Sequence, residues 1–149
     1  MKPVIIVIPT LALLADCGSD GAAGPSGRDM RGTWTYDASQ ISAGGPNYCV
    51  VSGTRVTITN QSGNVFSGTY NTGFIACTGP GLHDTVPVGS GTVVSGVVLG
   101  DSVRFNFDNS NWRNVGLAGT TSMTGVVNVQ LTIGGSSAVA AGAWTATKQ

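Results

Sequence analysis

The chain has no glutamate, and charged side chains make up only 9% of its 149 residues. Seven lysines and arginines balance seven aspartates, so the formal net charge is zero. A nucleic-acid-binding surface is disfavoured, because it needs clustered basic residues to neutralise phosphates. Helical bundles are disfavoured as well, since their surfaces rely on Glu and Lys. Hydrophobic residues reach 41%, which argues against a disordered chain.

Catalytic and metal-binding side chains are also scarce. His83 is the only histidine, and it has no second histidine or closely spaced cysteine pair to share a metal with. Asp84 follows it directly. Because adjacent residues of a strand point to opposite faces, this pair is not expected to act together in a catalytic triad. Asp101 and Asp108 flank one predicted strand, which holds them ~23 Å apart, too far for the paired carboxylates of a glycosidase. The sequence therefore predicts a protein that is not an enzyme and that uses no metal or cofactor.

The chain is rich instead in glycine, with 23 residues, and in serine, threonine and valine. Turn-forming residues separate short segments whose side chains alternate in polarity. Val103, Phe105 and Phe107 alternate with polar residues, and residues 127–133 repeat the pattern. This alternation is typical of strands with one buried face. No segment has a helical period, so we predict an all-β fold.

A glycine preceded by Ser or Thr recurs in successive predicted strands, at Gly68, Gly96 and Gly125. Glycine weakens a strand, so its recurrence needs a reason. Closing a sheet into a barrel supplies one, because glycine lets strands bend sharply. We therefore predict a closed, antiparallel up-and-down barrel of about eight strands, the size of many small barrels. The alternative is a two-sheet β-sandwich.

Residues 4–15 are mostly apolar but too few to cross a bilayer as a helix. The run Leu-Ala-Asp-Cys at residues 14–17 follows, and it resembles the lipobox of bacterial lipoproteins, in which the cysteine sulfur receives a lipid. The resemblance implies a lipid on Cys17 and, with Gly18 next, sorting to the outer membrane or cell surface. Asp16 stands where the lipobox has a small neutral residue, so a periplasmic or secreted protein cleaved nearby is the alternative.

On this reading the chain has three parts. Residues 1–16 form a signal peptide, residues 17–29 the lipid-attachment cysteine and a flexible tether, and residues 30–149 the β-barrel domain. Contact with a membrane is expected through the lipid anchor only. Cys49 and Cys77 remain as an even pair in an oxidising compartment, so we predict a disulfide. Closing a loop of about 29 residues would stabilise the fold by about 3–4 kcal/mol.

Two predicted loops are candidates for a binding surface. Residues 108–114 carry Trp112 and Arg113 among asparagines, and this pair could stack on a sugar or an aromatic ligand. The alternative is that Trp112 only plugs one end of the barrel. Residues 71–89 are long enough for a lid, or they form a surface loop stapled by the disulfide.

Short motifs of the domain resemble those of avidin-like and lipocalin-like barrels, both of the calycin type. Gly-Thr-Trp at residues 32–34 is similar to the G-x-W opening of both families. Ser-Gly-Thr-Tyr at residues 67–70 resembles the second hairpin of the avidin family. Residues 111–114 and 120–125 resemble its middle connection and sixth strand. The resemblance implies the barrel fold more than any particular ligand.

The same resemblance implies a set of pocket residues. Tyr70 and Thr72 match hydroxyls that bind the ligand in the avidin family, and Thr121 matches another. Tyr36 stands where that family has an asparagine that contacts biotin, and Phe107 stands near one of its pocket tryptophans. Because the tryptophan wall of that pocket is replaced here, tight binding of biotin is not expected.

We therefore predict an exported, lipid-anchored binding protein that takes a small apolar or amphipathic ligand in or at the mouth of the barrel. The alternative is a structural or interaction domain of the bacterial envelope, with a filled core and no small ligand. Whether side chains fill the barrel interior distinguishes the two hypotheses, since a barrel of about eight strands encloses either packed side chains or one small ligand. The residues predicted to contact the ligand are Tyr36, Tyr70, Thr72, Phe107, Trp112, Arg113 and Thr121.

Overall fold

A computed structural model of the protein describes residues 27–107, 111–133 and 136–149. The predicted signal peptide and Cys17 lie outside this part. Within it the backbone forms ten strands, and no helix long and apolar enough to cross a membrane is found there. The strands are β1 (Gly32–Ser42), β2 (Tyr48–Ser62), β3 (Val65–Asn71), β4 (Phe74–Gly79), β5 (Leu82–Pro87), β6 (Gly91–Leu99), β7 (Ser102–Phe107), β8 (Trp112–Ala118), β9 (Ser122–Ile133) and β10 (Ser136–Lys148).

Eight of these strands close into an antiparallel barrel. They follow one another around it in the order β1, β2, β3, β6, β7, β8, β9 and β10, and β10 pairs with β1 to close the ring. The predicted up-and-down barrel is thereby confirmed, and the two-sheet sandwich is not formed. The architecture is compatible with a calycin-like fold. All of these pairings lie between residues 32 and 148, so we expect residues 27–149 to fold without the preceding segment.

β4 and β5 form a hairpin inserted between β3 and β6. β4 pairs with residues 48–52 of β2, whereas β3 pairs with residues 55–62 of the same strand. The prediction of a long loop over residues 71–89 is therefore wrong, because most of that segment extends the barrel wall. The turn at residues 80–81 and Pro87 concealed the strands, since glycine and proline are depleted in strands.

The turns define two ends of the barrel. The closed end carries the turns at residues 63–64, 100–101 and 119–121 and both termini of the described part. The opposite end, here called the mouth, carries the loop at residues 43–47 and the β4–β5 hairpin. Neighbouring strands run in opposite directions, so the first residues of one strand and the last residues of the next lie at the same end of the barrel.

Met30, which precedes β1, plugs the closed end and is fully buried. Its N–H donates to Gln61 Oε1 at 2.7 Å, and its carbonyl accepts a bond from Trp34 Nε1 at 2.9 Å. The Gln61 side-chain amide also donates to the Arg28 carbonyl at 2.8 Å. These bonds hold the entering segment against the barrel, so side chains fill this end.

Aromatic rings fill the middle of the barrel. Tyr36 stacks on Trp144 with ring centroids 5.8 Å apart, and Phe105 packs edge-on against Trp144 at 5.4 Å. Phe107 contacts Tyr36 at 5.4 Å. Trp34 and Trp144 are both buried, as expected for side chains of the two strands that meet when a barrel closes. The interior is therefore occupied mainly by side chains.

Gly125 of β9 lies opposite Gly116 of β8, where the two backbones approach closely. A Cβ atom on Gly125 would meet the Val115 carbonyl oxygen and the Gly116 Cα, and it would lie 2.8 Å from Trp144 Nε1. This strand glycine therefore has a packing role, because any side chain there would push the neighbouring strand or the indole away.

Replacing Gly125 by Ala is expected to lower the free energy of unfolding by about 1–3 kcal/mol, because the added methyl group has no room. Urea unfolding of residues 27–149, followed by tryptophan fluorescence, measures the change. Thr124→Ala, at the exposed neighbouring position, is the matched control and should cost about 0.5 kcal/mol or less. Equal losses in both variants would contradict the assigned packing role.

Candidate functional site

A small cavity lies inside the mouth of the barrel. Its volume is about 70 Å³. The lining side chains come from five strands and from the segment that follows β5, so the cavity exists only when the barrel closes and the hairpin folds beside it. The lining residues are Val51, Thr54, Tyr70, Ile75, Val88, Phe107 and Trp112.

The β4–β5 hairpin forms one wall of this cavity. Ile75 of β4 lies opposite Val51 of β2, and both side chains line the cavity. Two residues further along the same strands, Cys49 lies opposite Cys77, and their Cα atoms are 4.0 Å apart. These cysteines form the predicted disulfide, which is thereby confirmed. It staples the hairpin to the barrel next to the cavity.

Three aromatic rings form the opposite wall. The ring centroids of Tyr70 and Phe107 are 4.5 Å apart, and those of Phe107 and Trp112 are 6.2 Å apart. Tyr70 and Phe107 are buried, whereas Trp112 is half-buried at the mouth. Trp112 is therefore the ring of this group that an entering molecule contacts first.

A chain of hydrogen bonds runs beneath these rings. Trp112 Nε1 donates to the Tyr36 hydroxyl at 3.2 Å, and the Tyr36 hydroxyl donates to Asn114 Oδ1 at 2.8 Å. Burial raises the pKa of the Tyr36 hydroxyl, and the bond from Trp112 only partly offsets this effect. The hydroxyl therefore stays protonated. Its two bonds fix the tilt of the Trp112 ring at the mouth.

Thr54 is a fully buried polar residue that borders the cavity. Its hydroxyl has no hydrogen-bond partner within the described residues. A buried hydroxyl without a partner costs about 1–3 kcal/mol, so such a group in a native protein needs an explanation. A molecule bound in the cavity would supply the missing partner.

The structure brings four of the seven predicted ligand residues together at the mouth. Tyr36, Tyr70, Phe107 and Trp112 are linked by the ring contacts and the hydrogen bond given above. Thr72 lies at the rim, just after β3, with its hydroxyl 3.4 Å from the Gly53 carbonyl. Five residues, from four strands and one loop, thus share one end of the barrel.

The other two predicted residues lie elsewhere. Arg113 is exposed on the outer face of β8, because it alternates with the inward-pointing Trp112 and Asn114. Thr121 lies in the turn between β8 and β9 at the closed end, where its carbonyl accepts a bond from the Lys148 N–H at 2.9 Å. Neither side chain can reach the cavity.

Sequence reasoning missed Thr54 and Asn114. Both were detectable in part, because Thr54 shares the alternation phase of Val56 and Ile58, and Asn114 shares that of Trp112. A polar residue in the inward phase is a signal for a buried polar site. Neither is among the pocket residues that the avidin resemblance implied, so the resemblance did not indicate them as site residues.

The cavity offers apolar contact and hydroxyl groups, and its lining has no charged side chain. His83 and Asp84 are exposed on β5, opposite Thr78 and Cys77, and they lie outside the cavity lining. In the part of the chain that the structure describes, no three metal-binding side chains come together. The lining at the mouth therefore offers a bound molecule apolar surface and hydroxyl groups.

Comparison of the chain with protein-family models, with curated proteins and with solved structures finds no match.

Proposed function

We propose that this protein is a non-enzymatic binding module, exported and lipid-anchored, which takes a small apolar or amphipathic molecule at the mouth of its barrel. The observation that carries the proposal is the partnerless hydroxyl of Thr54, buried beside a cavity that is otherwise walled by apolar and aromatic side chains. The chemistry of this lining, apolar with a placed polar group, is that of a small-molecule site, although such sites are usually several times larger.

The size of the cavity limits what enters it. At about 70 Å³ it has half the volume of the ~150 Å³ cavities that accept benzene. Only a group of a few heavy atoms fits without movement of the hairpin. A larger ligand would insert one end group and leave its remainder against Trp112 at the mouth.

The chemistry of the residues that line the cavity further limits which end group of a ligand can bind there. The hydroxyl of Thr54 can both donate and accept a hydrogen bond, so a ligand hydroxyl or carbonyl group would satisfy it. The rings of Phe107 and Trp112 favour an apolar segment next to that group. A medium-chain alcohol has both features, and we choose 1-hexanol as the probe.

Export and anchoring are proposed from the N-terminal sequence. The lipobox-like run ends at Cys17, and the described chain begins at Gly27, which lies against the turn of residues 63–64 at the closed end. A lipid on Cys17 would therefore attach the barrel near its closed end and leave the mouth free of the attachment.

The test is a titration of residues 27–149 with 1-hexanol, followed by the indole N–H signals in NMR spectra. The Trp112 signal should move, whereas that of Trp34 at the closed end should not. In Thr54→Val the affinity should fall by about 3- to 10-fold, the value of one hydrogen bond. The same variant should be more stable than wild type by about 1–3 kcal/mol, because the partnerless hydroxyl is gone.

Thr124→Val, which makes the same change on the outer surface, is the control and should alter neither property. A Trp112 signal that is unmoved by 1-hexanol, in a protein that also carries no adduct in native mass spectra, would contradict the binding proposal. That result would favour the second candidate, a structural or interaction domain. The observation that favours this second candidate is the filled interior, together with exposed aliphatic side chains such as Leu117 and Val126 on the outer wall.

A further inference from the structure

The outer faces of β6, β7, β8 and β9 form a surface that we name the basic wall. These four strands contain no acidic residue, and they carry Arg104 and Arg113. Both arginines are exposed. The aspartates nearest in sequence flank β7: Asp101 is in the turn at the closed end, and Asp108 lies outside the described residues. Within their described ranges, the four strands thus carry two positive charges and no negative one, although the whole chain is neutral.

The two arginines are neighbours on this wall. Arg104 lies opposite Val115, and Asn106 lies opposite Arg113, so the two guanidinium-bearing positions are diagonal across β7 and β8. Diagonal positions in a sheet are about 7–8 Å apart, within reach of long side chains. One phosphate group, or two adjacent ones, could therefore contact both arginines.

Within the described residues, neither arginine of the basic wall has an ion-pair partner. Within the described residues, the ion pairs are Arg28 with Asp101, at 2.6 Å, and Arg31 with Asp29, at 2.8 Å. No such pair involves the arginines of the basic wall. Their charges are thus available to an external anion, at the low desolvation cost of an exposed site.

The arginines border an open groove of about 410 Å³ on the outside of the barrel. The groove forms beside β6, where Ser95 has a positive φ of 55° and the pairing with β7 shifts register. Such an irregularity bends a strand and opens the surface next to it. Lining residues include Ser95, Val97, Arg104, Asn106, Arg113 and Val115.

Aliphatic side chains lie next to the groove on the same wall. Val115 of β8 is opposite Val126 of β9, and Ser102 of β7 separates Leu99 from Leu117. The four aliphatic residues expose between 52% and 61% of their surface. Contiguous exposed aliphatic side chains are a mark of contact surfaces. The basic wall is thus cationic and apolar at once.

The wall also lies near the point at which the N-terminal segment leaves the barrel. Arg28 is bonded to Asp101, in the turn that joins β6 to β7, and these strands belong to the basic wall. Nine residues, 18–26, separate Cys17 from Gly27. Even fully extended, the ten steps from Cys17 to Gly27 span at most ~36 Å, so an anchor on Cys17 would keep the closed end of this wall within that distance of the bilayer.

We propose that the basic wall docks onto an anionic phospholipid bilayer, with Arg104 and Arg113 on lipid phosphates and the aliphatic side chains against the interface. The nearness of the wall to the bilayer rests on the anchoring proposed above. The arginines and the exposed aliphatic side chains of the wall are observed independently of that anchoring. A second copy of the chain fits this wall less well, because a two-fold contact would bring the same arginines of both copies together.

Sedimentation with vesicles tests the docking on residues 27–149, which lack Cys17 and hence any anchor. Vesicles of equal parts phosphatidylcholine and phosphatidylglycerol should bind the protein, and pure phosphatidylcholine should not. Replacing both arginines, as Arg104→Gln with Arg113→Gln, should weaken the partitioning by about 30-fold, which is about fivefold per lost charge. Leu117→Ser should weaken it as well.

The controls remove the same groups from other walls. Arg55→Gln takes an exposed charge from β2, and Val86→Ser takes an exposed aliphatic side chain from β5; both should bind vesicles as wild type does. Equal binding by the double arginine variant and by Arg55→Gln would overturn the proposal. So would wild-type protein that dimerises without binding vesicles, or that binds inorganic phosphate but no vesicles. The response to 1-hexanol, measured on the same samples, separates a failure of docking from a failure of ligand binding.

Discussion

Replacing Trp144 by Ala is expected to lower the free energy of unfolding by about 3–5 kcal/mol, the range for a large aromatic residue lost from a core. The indole stacks on Tyr36 and meets Phe105 edge-on, and its Nε1 donates to the Val126 carbonyl at 3.1 Å. All of these contacts disappear together, and the barrel cannot collapse to fill the space, because its strands are tied into a closed ring. Urea unfolding of residues 27–149 measures the loss.

Two further variants show whether the filled interior is the cause. Trp144→Phe keeps a ring against Tyr36 and should lose clearly less than the alanine variant. Leu117→Ala removes an aliphatic side chain that is 61% exposed, and it should change stability by about 0.5 kcal/mol or less. If Trp144→Ala costs no more than Leu117→Ala, the interior is not packed as described, and space for a larger ligand would have to be considered.

Removing the disulfide, as Cys49→Ala with Cys77→Ala, is expected to cost about 3–4 kcal/mol. The cysteines are 28 residues apart in sequence, and a cross-link of that length removes much of the freedom of the unfolded chain. In residues 27–149 no third cysteine is present, so exchange of partners cannot obscure the result. Unfolding of the double variant in urea, compared with wild type before and after reduction, gives the value.

The location of the loss is a second readout of the same variant. β4 pairs on one side with β2 and on the other with β5, and β5 has no further neighbour in the sheet. Without the disulfide the hairpin should open locally, so its amides should exchange with solvent faster than those of β8 and β9. A uniform acceleration across the whole barrel would instead mean that the staple supports the barrel and not the cavity wall.

Much of the barrel was predictable from the sequence. Side-chain alternation identified β7 and β9, because each of these strands has one face in the core and one in solvent. The hairpin β4–β5 was not predictable in this way. His83 and Asp84 lie in it next to several exposed residues, so its burial pattern is weak. Pairing with the edge of β2, which is a tertiary contact, makes this segment a strand.

The mouth site was predictable only in its aromatic part. The resemblance indicated Tyr36 and Tyr70. The alternation of residues 54–58 indicated that Thr54 points inward, but not that it borders a cavity. In a regular strand, Val51 and Thr54 would point to opposite faces, because they are three positions apart. Both point inward here, because the register with β1 shifts at this point and Gly53 adopts a φ of +66°. A bulge of this kind breaks the alternation rule, and only the assembled sheet reveals it.

The sequence by itself determined the all-β class and the disulfide partners, because these depend on local alternation and on the pairing of two cysteines. Its recurrent glycines favoured a closed barrel over a two-sheet sandwich, and the strand pairings of the structure decided between the two. The tertiary structure alone decided that the interior is filled, that a small cavity remains at the mouth beside Thr54, and that Arg113 faces outward with Arg104. Packing and register depend on contacts between strands that are distant in sequence. They therefore leave no local signal, and a single strand read alone cannot indicate which of its neighbours will complete a site.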